Sequence, residues 1–183
     1  KLQEPSLRES VSSLTPFGLP TNFRGVQFKS GHDSIAIHSS EGIAYAPISV
    51  ITKGLNYLDK YKVLVSKTGS EHAGEPGKDG TYKIFSSSLK AIGPGEACTH
   101  SYFLVGTFDS LDQTINLLGY MKTKFLRFLI LQAMSSINLS RAVFQFVPTQ
   151  DFTRPWTDTE LYAKYGLVED EIVFIESMIK PME

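Results

Sequence analysis

Cysteine is nearly absent from this 183-residue chain: Cys98 stands alone, so no internal disulfide can form, and the expectation is a reducing compartment. Long hydrophobic runs are missing too. The longest, Phe125 to Met134, is interrupted by Arg127 and Gln132 and is too short to span a bilayer, which points to a cytoplasmic protein with no membrane partner. Recognisable catalytic loops are also lacking. The segment Gly74 to Gly80 does not end in the Gly-Lys-Ser/Thr of a phosphate-binding loop. The four histidines (His32, His38, His72, His100) have no metal-ligand spacing and no cysteine partners. Cys98, with His100 two residues on, sits in apolar surroundings that suit an inert core thiol better than a nucleophile. No Asn/Asp-Pro-Pro-aromatic segment occurs, so adenine methyl transfer by this chain alone would lack its usual catalytic loop.

Hydrophobic residues make up 42% of the chain, enough for a substantial core. The pattern is organised around Cys98 to Met134, which reads as a buried strand feeding one long helix. Ser110 and Gln113 have capping-box spacing. Leu111, Ile115, Leu118, Met121, Phe125 and Leu129 recur at helical intervals, and Lys122, Lys124 and Arg127 take the wetter positions. Upstream, a short helix is expected at residues 5–14, followed by an ordered loop through Thr15 to Phe23, where two prolines and a glycine forbid regular structure. Strands are expected at Ser34–His38 and Ile43–Ala46 as a hairpin, then at Tyr61–Lys67 and Tyr82–Phe85. Downstream, Val143–Val147 reads as a strand. Thr157 and Glu160 open a helix that Gly166 ends, and a last helix runs from Glu169 to Ile179. Together these give an α+β fold: a mixed or antiparallel twisted sheet packed on one long helix, with a C-terminal two-helix segment. The division is a domain at 1–149 and a helical extension at 150–183 packed on it through Trp156, Leu161, Tyr162, Tyr165, Ile172 and Ile175.

Charge is split between these parts. Residues 1–149 carry 15 Lys or Arg against 11 Asp or Glu, and residues 150–183 carry 3 against 8. A mildly basic body is compatible with a polyanionic partner. Its basic character concentrates between Lys53 and Lys90, where seven lysines (Lys53, Lys60, Lys62, Lys67, Lys78, Lys83, Lys90) accompany Tyr57, Tyr61 and Tyr82. Within this region Thr68 to Gly80 holds four glycines and one proline with almost nothing apolar, an exposed loop of a length that is often functional. Carboxylates for a metal-dependent nuclease could come from Asp33 and Glu41, or from Glu75 beside Lys78.

Six phrases, in order, carry a resemblance: Pro16-Phe17-Gly18-Leu19-Pro20-Thr21-Asn22-Phe23-Arg24-Gly25, Asp59-Lys60-Tyr61-Lys62-Val63-Leu64-Val65, Gly95-Glu96-Ala97-Cys98-Thr99-His100-Ser101-Tyr102, Tyr120-Met121-Lys122-Thr123-Lys124-Phe125, Val147-Pro148-Thr149-Gln150-Asp151-Phe152, and Trp156-Thr157-Asp158 through Ile179-Lys180-Pro181-Met182-Glu183. Their order resembles the C-terminal region of bacterial restriction-modification proteins that carry an adenine-specific DNA methyltransferase, many of them type IIG-like restriction enzymes. The resemblance implies a target-recognition region that grips double-stranded DNA. Such a region needs no cofactor of its own. S-adenosylmethionine would bind the methyltransferase portion of a longer parent chain, which could include a nuclease portion; the start at Lys1 without Met fits the expectation of a fragment. Val168 departs from the pattern, which often has Thr there, and loses a side-chain cap that would be worth about 1 kcal/mol. On this reading Arg24, Lys62, Lys67, Lys78, Tyr82 and Lys83 contact the duplex backbone, while Ser70, Glu71 and His72 at the loop tip influence sequence preference. The alternatives are a nuclease domain built on the carboxylates above, or a protein-protein docking module using the acidic tail.

Overall fold

The computed structural model describes residues 4–69 and 74–182. Two three-stranded sheets and five α-helices form an α+β fold. The first sheet has the order β2-β1-β5: β1 (Ser34–Ser39) and β2 (Gly42–Pro47) form the expected antiparallel hairpin, and β5 (Glu96–Cys98) runs parallel to β1. The second, wholly antiparallel, has the order β4-β3-β6, with β3 (Tyr61–Ser66) between β4 (Lys90–Ile92) and β6 (Tyr102–Phe108). One sheet was expected and two are present, the first mixed and the second antiparallel.

Side-chain alternation along β3 and β6 explains how two sheets share one molecule. Val63, Val65, Phe103 and Val105 face a core built with the helices, while Leu64 and Leu104 face a second core between the sheets, with Ile35, Ile37, Ala97 and Phe17. Covered on both faces, each of these strands carries a run of four consecutive buried residues, as their continuous apolar sequence suggests. The loop at residues 15–23 is ordered as expected, because Phe17 and Leu19 are sunk into the second core.

The long helix is two helices. α2 (Leu111–Lys122) and α3 (Lys124–Ala133) meet at Thr123, whose backbone is extended. Each new terminus is capped. The Thr123 hydroxyl accepts from Leu126 N–H at 3.2 Å, and the Asp158 carboxylate accepts from the N–H groups of Lys124 and Phe125 at 3.0 and 2.8 Å. Arg127, expected at a wet position, is only 1% exposed; its Nε donates to the carbonyls of Lys122 and Thr123 and its Nη1 to Lys180 O at 2.6 Å. The break therefore satisfies a buried guanidinium and the carbonyls that end α2.

The inward face of α2 also differs from the expected stripe. Leu111 and Ile115 are each 48% exposed, whereas Thr114, Leu117, Tyr120 and Met121 are buried. Thr114 and Tyr120 tolerate burial because their hydroxyls donate to Ser110 O at 3.1 Å and Pro148 O at 2.8 Å. Ser110 does occupy the N-cap position, but its hydroxyl makes no capping bond.

Shorter elements depart from expectation for local reasons. Residues 7–10 and 141–144 are 3-10 turns rather than a helix and a strand, and Ser6 and Ser140 cap them through Arg8 N–H and Ala142 N–H. Tyr82 makes only an isolated parallel bridge to Ile179, so Tyr82–Phe85 is not a strand. The tail matches its pattern. α1 (Leu55–Leu58) is followed much later by α4 (Asp158–Lys164), opened by the Thr157/Glu160 capping box and closed by Gly166 at φ +65° with the two hydrogen bonds of a Schellman turn, Gly166 N–H to Ala163 O and Leu167 N–H to Tyr162 O. α5 (Glu169–Met178) lacks a hydroxyl at Val168, but Glu171 reaches back to Val168 N–H at 3.0 Å and supplies half the box. Leu161, Tyr162 and Ile175 stand in the same core as α2 and α3. Among the described residues no helix is long and apolar enough to cross a membrane.

His38 on β1 is buried, with Nε2 2.6 Å from Glu96 Oε2, while Gly93 N–H donates to the other carboxylate oxygen at 2.7 Å. Burial holds the imidazole below its ordinary value despite the Glu96 hydrogen bond. For Glu96 burial acts upward, but the bonds from Gly93 and His38 outweigh it and the carboxyl lies low. Both folded values are depressed, so both groups stabilise the fold above their unfolded values, and that contribution is lost on acidification. Thermal stability should therefore fall as pH drops below about 6.5, where unfolded histidine takes up a proton, and fall again below about 4.5. His38→Gln, which keeps a donor for Glu96 without titrating, should reduce the first decline in melting curves recorded from pH 8 to pH 4 and leave the part due to His100, whose ring is also held low by burial and by Lys67.

Candidate nucleic-acid interface

Seven lysines between residues 53 and 90 meet three different fates. Lys62 is fully buried at the start of β3, and its Nζ donates to the carbonyls of Lys60 and Gly93, both at 2.9 Å, with Leu58 O at 3.5 Å. Those carbonyls end α1 and form the Gly93 turn. Burial pulls the ammonium down to about 8, against the attraction of Glu96. No phosphate can reach it, and its expected role in DNA contact is corrected: Lys62 is an internal staple. Lys60 is ion-paired to Asp109.

The other five, Lys53, Lys67, Lys78, Lys83 and Lys90, have no carboxylate within ion-pairing distance among the described residues. Elsewhere the basic side chains are mostly committed: Lys124 to Glu176, Arg141 to Glu9, Arg154 to Glu160, Lys164 to Glu4 and Lys180 to Asp79. Arg24 also belongs to the committed group, since its guanidinium pairs with Glu41 and donates to Phe23 O at 3.1 Å. Its charge is already compensated by that carboxylate, which weakens what it can offer a phosphate.

Lys67 follows β3 at the root of the glycine-rich loop. Its backbone is tied on both sides, N–H to Ser101 O at 3.0 Å and carbonyl to Leu139 N–H at 2.6 Å; its ammonium is shielded from solvent with no hydrogen-bond partner among the described residues, and burial lowers its pKa, so its expected contact with DNA is corrected as that of Lys62 is. Ser70, Glu71 and His72 lie outside the described residues. Beyond them Gly74 and Gly80 take positive φ and residues 77–81 close a turn through Gly77 N–H to Thr81 O, which presents Lys78 outward. Tyr82 is half-buried, with its backbone bonded to Met178 O and Lys180 N–H at 2.8 and 3.0 Å; it anchors the loop's return to the end of α5. Lys83 is exposed beside it.

Of the carboxylates considered for a nuclease, Glu41 is held by Arg24, and among the described residues no three His, Cys, Asp or Glu side chains are placed to share a metal ion. Cys98 is buried, with its thiol pushed up to about 12, so it is not a nucleophile at neutral pH. His100 lies beyond the end of β5 in an exposed turn, where it lines a polar cleft with Lys53 and several threonines. The sequence reading did not single out that cleft. Its signal was the pair of glycines, Gly18 and Gly54, set among prolines and threonines far apart in the chain.

No protein family, curated protein or solved structure matches the chain.

The internal role of Lys62 has a direct consequence. Lys62→Met strands the Lys60 and Gly93 carbonyls in the interior and should destabilise the fold by about 2 kcal/mol or more in urea melts. The salt dependence of any DNA binding should stay unchanged, because no counterion-releasing contact is lost.

Proposed function

We propose that this chain binds duplex DNA as the target-recognition region of a restriction-modification enzyme acting on adenine, and leaves the chemistry to other portions of its parent protein. The observation that carries the reading is the split among the lysines. Cations without carboxylate partners are concentrated from Lys53 to Lys90, around an exposed glycine-rich loop, on a molecule that pairs most of its other basic side chains. Unpaired surface lysines suit phosphate contact, since they need not abandon a protein partner to meet DNA. Base edges in the major groove would be read by Ser70, Glu71 and His72, the polar residues in the middle of that glycine-rich sequence. S-adenosylmethionine belongs to the methyltransferase portion of the parent in this proposal, because this chain's sequence has no catalytic loop for methyl transfer.

Fluorescence anisotropy with labelled duplex at several salt concentrations tests the reading. The isolated chain should bind with roughly micromolar or weaker affinity at physiological salt, as expected of a few phosphate contacts. Lys78→Gln and Lys83→Gln, both at exposed positions, should each weaken binding to all sequences alike and reduce the slope of log K against log salt by about 0.9. Slopes identical to the parent chain in both variants would refute the proposed contact surface. Incubation with duplex and magnesium separates the alternative from another class, because strand cleavage by the isolated chain would replace this reading with a nuclease.

A further inference from the structure

Two stretches distant in sequence are pressed backbone to backbone on one side of the second core. A Cβ on Gly18 would lie 2.0 Å from Thr52 Oγ1, and a Cβ on Gly54 would lie 2.1 Å from Pro16 O; both glycines also have positive φ. Only glycine fits at either position. Thr52 N–H donates to Phe17 O at 3.3 Å, and His100 N–H donates to Leu19 O at 2.9 Å, which joins a third segment to the pair. Phe17 and Leu19, buried beneath, fix the loop to the core. The result is a preformed cleft of about 690 Å³ lined by Thr15, Gly18, Thr21, Thr52, Lys53 and His100.

The lining is rich in donors and contains no carboxylate. Lys53 Nζ donates to Thr15 Oγ1 at 2.9 Å, which leaves two ammonium protons and the Thr15 hydroxyl proton unspent. Thr21 Oγ1 and His100 Nδ1 are 3.3 Å apart. If Thr21 donates, the ring carries its proton on Nε2; if the ring donates from Nδ1, the Thr21 hydroxyl proton is released. Either tautomer leaves a proton for a ligand. Lys67 acts electrostatically on His100, and Arg24, paired with Glu41, donates from Nη1 to Thr21 O at 3.4 Å.

We infer that this cleft is a phosphate-binding site, in which Lys53, His100 and the hydroxyls of Thr15, Thr21 and Thr52 hold one phosphate group. Several hydroxyls with an ammonium offer more donors than a carboxylate's two oxygens employ, and suit an anion that presents three or four oxygens. The cleft's width leaves room for whatever the phosphate is attached to. The same chemistry serves a backbone diester, in which case the site deepens the DNA-binding reading, or a free phosphate compound, in which case it stands apart from that reading.

Heteronuclear NMR of the whole chain tests the assignment, with inorganic phosphate, pyrophosphate and a short duplex as probes. At least one probe should shift the amides of Gly18, Thr52 and Lys53 and the ring signals of His100, with an affinity about tenfold weaker in Lys53→Met and weaker also in Thr52→Val. Both substitutions lie on the exposed rim or replace one side chain by another of the same shape, and unchanged spectra elsewhere confirm the fold. Shifts with the duplex alone identify a backbone diester; shifts with the inorganic probes alone identify a free phosphate. Either supports the site. No response in the cleft to any probe, or an equal response to chloride that survives Lys53→Met, overturns it. Duplex binding with no cleft shifts from any probe sinks the site and spares the DNA-binding reading, while phosphate shifts without duplex binding do the reverse.

Discussion

Everything in this molecule hangs on the antiparallel pairing of β3 with β6. Their alternating side chains serve two cores at once, Val63, Val65, Phe103 and Val105 toward the helices and Leu64 and Leu104 toward the other sheet. A slip of one residue in either strand would exchange these sets and leave both cores mispacked, so the register is held from two sides. The bulge between Lys62 and Val63 confines the irregularity to the strand's first residues. There Lys62 leaves the apolar stripe and gathers the carbonyls that end α1 and form the Gly93 turn. The β3–β6 wall also fixes the root of the glycine-rich segment, since Lys67 follows one end of β3 and Ser101, just before β6, holds its backbone.

Strands were legible where alternation and turn residues agreed. The β1–β2 hairpin, β3 and the tail helices follow their sequence patterns because the signals that decide them are local: glycine at a positive φ, a hydroxyl three residues before a glutamate, period-two apolar spacing. The break in the long helix was not legible, because its causes are remote. Asp158 lies 34 residues from the N–H it caps, and Arg127 is buried only because Lys180 O and the α2 terminus converge on it. Lys62 shows the same limit from another direction. Its place on the face shared with Leu64 was readable, but its burial depends on carbonyls assembled by two turns, which no periodicity records.

For the candidate interface, the abundance of lysine was visible and its partnering was not. Seven similar residues became one staple, one ion pair and five uncommitted cations according to which carboxylates and carbonyls the fold carried to them. The cleft at His100 was harder still, since its lining comes from three segments joined by buried anchors and two close glycine contacts.

The acidic tail, which could be read as a docking surface, has a more local account. Asp158 caps α3, Glu160 completes the box that opens α4, Glu171 caps the Val168 amide, and Glu176 accepts from Lys124 and Tyr162. Asp151 accepts from the Thr153 N–H and hydroxyl, and those bonds hold its carboxyl low. Glu169 and Asp170 stand in the first turn of α5, where negative charge is favourable to the helix dipole. Six of the tail's eight acids thus have structural work beside backbone amides or at helix starts and Glu176 joins α5 to Lys124 and Tyr162, so the imbalance between body and tail follows largely from how short helices are capped. The basic region from Lys53 to Lys90 has no equivalent explanation, because five of its lysines close no helix and meet no acid among the described residues. That asymmetry, acids consumed by the fold and cations left over, is why the functional reading is placed on the lysines and not on the tail.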